Sequence, residues 1–334
     1  IEFNQDQLED NMWGYHRTVD QKVNIGSAFF QNEWKNEHWG FLIGGRLDKH
    51  NLIDHVIFSP RANLRYNPTE NINLRFSYSS GFRAPQAFDE DLHVENVGGN
   101  VAMVELADNL KEERSQSLSA SADIYHRFGA FQVNFLVEGF YTKLSDVFAL
   151  TDGEVVDGIL TRTRYNAPGA RVMGLTLEGK MAYLTKFQVQ AGVTLQQSHY
   201  SEPHVWNKEA PAVKKMMRTP NTYGYFTATY TPIKPLSIAL SGTYTGSMLV
   251  PHEPVPGFLE KPITVNTKDF FDIGLKAAYD FKLYKSMNLQ VNAGVQNIFN
   301  AYQNDFDKGA DRDSGYIYGP SLPRSFFAGV KISY

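Results

Sequence analysis

With 334 residues and a net charge of −4, the chain has no basic footprint of the kind that neutralises nucleic-acid phosphates. It contains no cysteine, which excludes a disulfide framework and thiolate chemistry. Mean hydropathy is −0.36 and no run approaches the ~18 apolar residues of a membrane helix, leaving either a water-exposed fold or a barrel that crosses a membrane with strands.

From the N-terminus onward, the connectors alternate in length. Short turns fall near Trp34 to Trp39, Tyr66 to Asn71, His126 to Ala130, Leu184 to Lys186, Thr231 to Pro235 and Leu283 to Met287. Between them lie long loops, from Asp48 to Val56, Gly81 to Glu113, Ser145 to Gly169, Tyr200 to Asn221, Gly246 to Lys268 and Ala301 to Arg324. Transmembrane barrels sort their connectors in this way, short on the periplasmic side and long outside. A soluble sandwich has no reason to, because both of its ends meet the same solvent.

The segments between connectors alternate apolar and polar residues, most cleanly towards the C-terminus. Phe271, Ile273, Leu275, Ala277, Tyr279 and Phe281 share one face, with Asp272, Gly274, Lys276, Ala278 and Asp280 on the other. Leu289, Val291, Ala293 and Val295 repeat the pattern, as do Phe326, Ala328, Val330, Ile332 and Tyr334. The reading is an all-β fold, an antiparallel up-and-down transmembrane β-barrel. This chain supplies about thirteen of its strands, many near the ~9–11 residues that cross a bilayer at a tilt. Arg65, Arg75, Asp123, Glu138, Glu178, Lys180, Lys276 and Asp280 would face a polar lumen. Tyr78, Tyr141, Tyr183, Tyr244, Tyr279 and Tyr334 suit interfacial girdles. With the last strand running towards the periplasm, counting back puts Ile1 to Gln21 in an external loop. The chain opens without an initiator Met or a signal-peptide pattern, and its two end strands would be open edges in lipid. The expectation is a chain that starts mid-protein, with other strands closing the barrel.

Several segments resemble one family, the TonB-dependent outer-membrane receptors. Ser80-Gly81-Phe82-Arg83-Ala84-Pro85-Gln86 resembles the family's "GFRAP" segment, and Asn109-Leu110-Lys111-Glu112-Glu113 resembles its "NLKPE". Asn297-Ile298-Phe299-Asn300 is similar to the "NLFD" near the end of the penultimate strand. Pro323-Arg324-Ser325 is similar to the "PGR" that opens the last strand, with Leu322-Pro323 where the family has Gly. Gly329, Ile332 and Tyr334 fit the spacing of the barrel assembly signal. The tail from Gln303 to Gly319 looks most like receptors of the Bacteroidota. The resemblance implies a barrel of about 22 strands around an N-terminal plug, with plug and earlier strands outside this chain. It also implies uptake energised through TonB, contact with outer-membrane lipid and lipopolysaccharide, insertion by the barrel assembly machinery, and in some members a surface lipoprotein or a signalling role. No resident cofactor is implied.

The ligand is read as iron-bearing, a ferric siderophore or haem. His93 stands between the two motif-like segments, where haem receptors of the family carry an axial ligand, and Arg83 belongs to the first of those segments. Trp206, Lys208, Lys214, Lys215 and Arg218 make another outer loop basic and aromatic, as an anionic siderophore requires. His199, His204, Met216, Met217, Met248 and His252 offer imidazoles and thioethers for haem or copper. Asp305, Asp307, Asp311 and Asp313 form a candidate calcium site, though without the Gly and final Glu of an EF-hand loop. Cobalamin or copper receptors of the same family and a passive porin are the alternatives. His55 and Ser59 lie close in sequence, but no orienting set accompanies them, so no enzyme is expected.

Overall fold

A computed structural model describes residues 1–12, 17–85, 101–151, 154–156, 159–284 and 286–334. The wall of the molecule is one antiparallel sheet. Its strands are β1 (Glu2–Met12), β2 (Arg17–Lys35), β3 (Trp39–His50), β4 (Val56–Thr69), β5 (Ile72–Arg83), β7 (Glu113–Phe128) and β8 (Phe131–Ser145), then β12 (Ala170–Tyr183), β13 (Phe187–His204), β15 (Thr222–Ile233), β16 (Leu236–Thr245), β19 (Phe270–Lys282), β20 (Asn288–Gln296) and β21 (Ser325–Ser333). They pair in that order, and β14 (Val213–Lys215) adds to the far end of β13. Among the described residues the order does not close from β21 back to β1.

The register fixes which side chains face lipid. Phe76, Ala120, Gly139, Leu175 and Leu195 stand opposite one another across β5, β7, β8, β12 and β13. Their outward face leaves Phe76, Leu175 and Leu195 exposed in one row across the sheet, a contiguous apolar surface of a kind soluble monomers rarely carry. Lipid is the solvent that makes such a surface stable. Aromatics band it at two heights. Beside the short turns Trp39 stacks on Tyr66 at 4.2 Å, and Phe131 meets Tyr183 at a tilt with ring centroids 4.6 Å apart. Phe271 lies 6.4 Å from Tyr244 and 6.2 Å from Phe299 at the other end. On β8, Phe131 and Tyr141 are ten residues apart (141 − 131). That is ~34 Å along the strand and ~25 Å of height at the tilt of such barrels, matching the apolar band they carry.

The opposite face is polar and internally bonded. Lys180 Nζ lies 2.7 Å from Glu178 Oε1, Gln190 donates to the Tyr225 hydroxyl at 2.6 Å, and that hydroxyl donates to Glu178. Thr176 and Thr194 pair at 3.0 Å, and Asn134 donates to Asp123. These groups line the lumen as the alternation predicts.

Three features differ from the expectations. Residues Glu2 to Met12 form a strand rather than a loop, pairing with the Arg17–Ser27 half of β2, which is the half remote from the Trp34 turn. Among the described residues thirteen strands therefore span the wall, and a polar hairpin stands on the long-loop side. The connector after β3 is only residues 51–55, shorter than its sequence suggests. The remaining long loops carry structure of their own. β6 (Val101–Leu106), β9 (Val147–Leu150), β10 (Glu154–Val156) and β11 (Ile159–Ala167) form a small sheet in which β6 and β11 run parallel, and β17 (Leu249–His252) pairs with β18 (Ile263–Asn266).

Candidate functional site

The motif-like segments turn out to hold the loop end of the wall together. Phe82 packs on Ile53, Ile57 and Ala84. Asn166 exchanges two hydrogen bonds with the backbone of Lys111, accepting from its N–H at 2.7 Å and donating to its carbonyl at 3.0 Å, which docks the small loop sheet onto the start of β7. Glu112 is buried, and its Oε1 meets His55 Nε2 at 3.0 Å and Arg114 Nε at 2.7 Å. Burial pulls this carboxyl upward, but the bonds from Arg114 and His55 outweigh it and hold it below its usual value of 4.5. The stabilisation is then fully present above pH ~4.5 and is lost as pH falls through the depressed folded value. The protection of amides at residues 108–116, relative to their intrinsic exchange rate at each pH, should fall on acidification below that point in the native protein and much less in Glu112→Gln.

The same end of the wall carries a cavity of about 440 Å³. It is walled by the loop-side ends of β5, β7, β8, β12 and β13 and by the β9–β11 pair. Arg83 is opposite Glu113 in register, and both point to the lumen side. The guanidinium carbons of Arg83 and Arg164 sit 5.6 and 5.8 Å from the centroid of the Phe148 ring. Arg162, Tyr200, His204, Trp206 and Met216 also line it, with Leu144, Val147 and Leu150 among the apolar residues between them. Glu113 accepts the Phe148 N–H at 3.0 Å, which fixes the backbone that carries this ring. Burial raises the Tyr200 hydroxyl and lowers the His204 imidazole, which favours the neutral form of each. Trp206 Nε1 is buried and has no hydrogen-bond partner among the described residues. Guanidiniums, flat rings and an unused indole donor together suit a compact, anionic, partly aromatic guest.

Arg83 and Trp206 are thus brought together, along with His204 and Met216. Lys208 lies outside the lining. Lys215 pairs with His199 across β13 and β14 and shares its outward face, so it cannot reach the lumen, and Lys214 is not among the lining residues either. Arg218 is diverted. Held at φ 56°, it donates to the carbonyls of Ile317 at 2.7 Å and Gly315 at 2.5 Å, tying two outer loops together. Met248 packs with Val250 and Tyr316 in the core of the same loop cluster. His252 is buried there, 2.8 Å from Asp307 and stacked on Tyr316 at 3.8 Å. His93 falls outside the described residues.

The four aspartates do not gather. Asp305 accepts from the Tyr318 hydroxyl at 2.6 Å, Asp307 faces His252, and Asp313 accepts the backbone N–H groups of Glu253 and Gly315. Asp311 is exposed. Among the described residues no group of three or more His, Asp or Glu side chains could hold a metal ion. Asp305, Asp307 and Asp313 are engaged in joining loops, where each satisfies an otherwise unpaired donor. The sequence reading missed Arg162, Arg164 and Phe148. Their signal was the i, i+2 spacing of the two arginines in Thr161 to Tyr165, which puts both on one face of a strand.

Residues 3–298 match the family model of the β-barrel of TonB dependent receptor-like proteins. No curated protein sequence matches the chain. Among solved structures, the chain is similar to the ferric enterobactin receptor PfeA of Pseudomonas aeruginosa in a mutant form, with 19% identity, TM-score 0.65, and 94% of this chain and 45% of that one covered. It is also similar to the FrpB iron transporter of Neisseria meningitidis, with 18% identity, TM-score 0.63, and 93% and 45% covered. The siderophore receptor PirA of Acinetobacter baumannii gives 16% identity, TM-score 0.64, and 93% and 46%. The chain spans less than half the length of each of these structures, and at such identities the likeness is one of fold. The lipid-facing bands, polar lumen and connector asymmetry agree with a family match over most of the sequence, and the chain belongs to the TonB-dependent receptors, as part of their outer-membrane β-barrel.

Proposed function

We propose that the chain forms the C-terminal part of an active transporter that takes up an anionic ferric siderophore, energised through TonB, with the plug and earlier strands supplied by the rest of the protein. The observation that carries the reading is the cavity of Arg83, Arg162, Arg164, Phe148 and Trp206 on the lumen side of the loop end. A ferric chelate carries negative charge and flat donor arms, and planar guanidiniums beside rings recognise both. The names of similar structures, a ferric enterobactin receptor and a siderophore receptor, point the same way. Haem is the second reading, because His204 and Met216 line the same cavity and burial favours a neutral imidazole there.

The test is growth of a deletion strain with one limiting source at a time. Ferric siderophore growth should fail, while growth on haem, cobalamin and copper should persist. A defect confined to haem moves the assignment to the second reading, and a defect confined to cobalamin or copper refutes the iron assignment. High single-channel conductance of the full-length protein would indicate a porin.

Gly329, Ile332 and Tyr334 are proposed as the signal read by the assembly machinery. All three lie on or just past β21, and Tyr334 is 97% exposed, free to be recognised before the strand is inserted. Tyr334→Ala should lower the heat-modifiable, membrane-inserted protein severalfold. Unchanged levels would remove the residue from that role.

A further inference from the structure

Among the described residues lining the loop-end cavity, His204 is the one imidazole. It ends β13, past the irregularity that separates it from His199, and its ring centroid lies 4.7 Å from that of Tyr200. No hydrogen bond or ion pair reaches it among the described residues.

The charged groups that share the cavity with it are unequal in sign. Arg83 comes from β5, Arg162 and Arg164 come from β11, and Glu113 of β7 is the one carboxylate. The contributions of β8, β9 and β12 carry no charge. Tyr200 adds a phenol from β13 itself, and burial raises it, so it stays protonated at neutral pH. Burial likewise pushes the His204 imidazole below its ordinary value of 6.5, and no charged neighbour pulls it back. Before a guest arrives, an imidazolium here would be short of both water and a counter-charge. An anion in the cavity changes that balance. It sets negative charge beside the imidazole and offsets the guanidiniums, so the protonated ring becomes the favoured form.

Resting on the siderophore reading of this cavity, we propose that the anionic guest enters together with one proton, carried on His204, and that binding therefore tightens as the medium turns acidic. The sign follows from linkage. The liganded state holds the imidazole at a higher pKa than the unliganded state, so it binds more protons wherever the two differ, and affinity rises as pH falls through that interval. Each pKa unit gained on binding multiplies the affinity about tenfold once pH lies below both values. Haem held by the same imidazole would give the opposite slope, because iron coordinates the neutral ring and protons compete with it.

The test is titration calorimetry of the full-length receptor in detergent, in two buffers of different ionisation enthalpy, with ferric enterobactin and ferric citrate as probes. A chelate that binds should show net proton uptake by the native protein, and its affinity should rise about fivefold or more from pH 8 to pH 5.5, a window above the range in which Glu112 takes up its proton. In His204→Gln both the uptake and the slope should disappear, a comparison that also subtracts any proton exchanged by the chelate itself. His199→Gln, on the outward face of the same strand, should keep both. Equal affinity across the window, weaker binding at low pH, or a slope that survives in His204→Gln would overturn the proton coupling and leave the siderophore site standing. Failure of both chelates to bind at any pH would overturn the site and the coupling with it.

Discussion

Replacing Asn297 by alanine is expected to destabilise the C-terminal hairpin by about 4 kcal/mol, a value at the far end of the range for single substitutions. Asn297 is buried at 3% exposure at the end of β20. Its Nδ2 donates to the carbonyls of Ala301 at 3.1 Å and Leu322 at 3.0 Å, and its Oδ1 accepts the Ala301 N–H at 2.8 Å. Each such bond contributes ~1 kcal/mol net, and the partners left behind are poorly placed to find water. The backbone adds to this. At φ 50° the residue sits in the left-handed region, which Asn tolerates and Ala enters at a cost of ~1 kcal/mol. Asn297→Gly would relieve the backbone and still lose the three bonds, and should therefore fall between Ala and wild type. The measurement is the denaturant midpoint of heat-modifiable protein in detergent. If Ala and Gly variants both unfold with the native midpoint, the motif has no structural role here.

The second large effect is on ligand. Arg164→Ala combined with Trp206→Ala should weaken ferric siderophore binding by about 100-fold or more, since buried Arg and Trp at the centre of a contact commonly account for ~2 kcal/mol each. Arg164 is 4% exposed and stands over Phe148, so Arg164→Lys should not rescue fully, because an ammonium cannot stack as a planar guanidinium does. Binding is read by fluorescence quenching in detergent, alongside growth under iron limitation. Salt should alter these affinities little, as the pair is shielded from bulk screening. Wild-type affinity in the double variant would place the siderophore elsewhere among the loops.

Much of this was legible in the sequence, for a reason that holds specifically in lipid. A strand crossing a bilayer must show hydrocarbon to one side, so the period-2 pattern of Phe271 to Phe281 fixes the face of every residue before any contact is known. The β1 hairpin was missed because it stands clear of the bilayer. Asn4, Gln5, Asp6 and Gln7 meet water on both faces, so no alternation is imposed on them. The motif-like segments were recognised by spelling alone. Their physical roles, such as Asn166 bonding Lys111 and Asn297 closing onto Leu322, appear only when the chain is folded.

The loops mark where sequence ceases to decide. Composition alone suggests that Lys214, Lys215 and Arg218 would meet a ligand beside Trp206, and that Asp305, Asp307 and Asp313 would meet a cation. Arg218 instead bonds a carbonyl 97 residues away, Asp313 bonds an N–H 60 residues away, and Lys215 turns to the lipid side by its register with His199. The sequence by itself determined the strand faces, the sorting of connectors and the family, because these follow from local periodicity under one solvent constraint. The tertiary structure alone decided which loop side chains converge. A loop residue is committed by whichever distant donor, acceptor or ring the fold brings within ~3–4 Å of it, and nothing in its neighbours along the chain encodes that meeting.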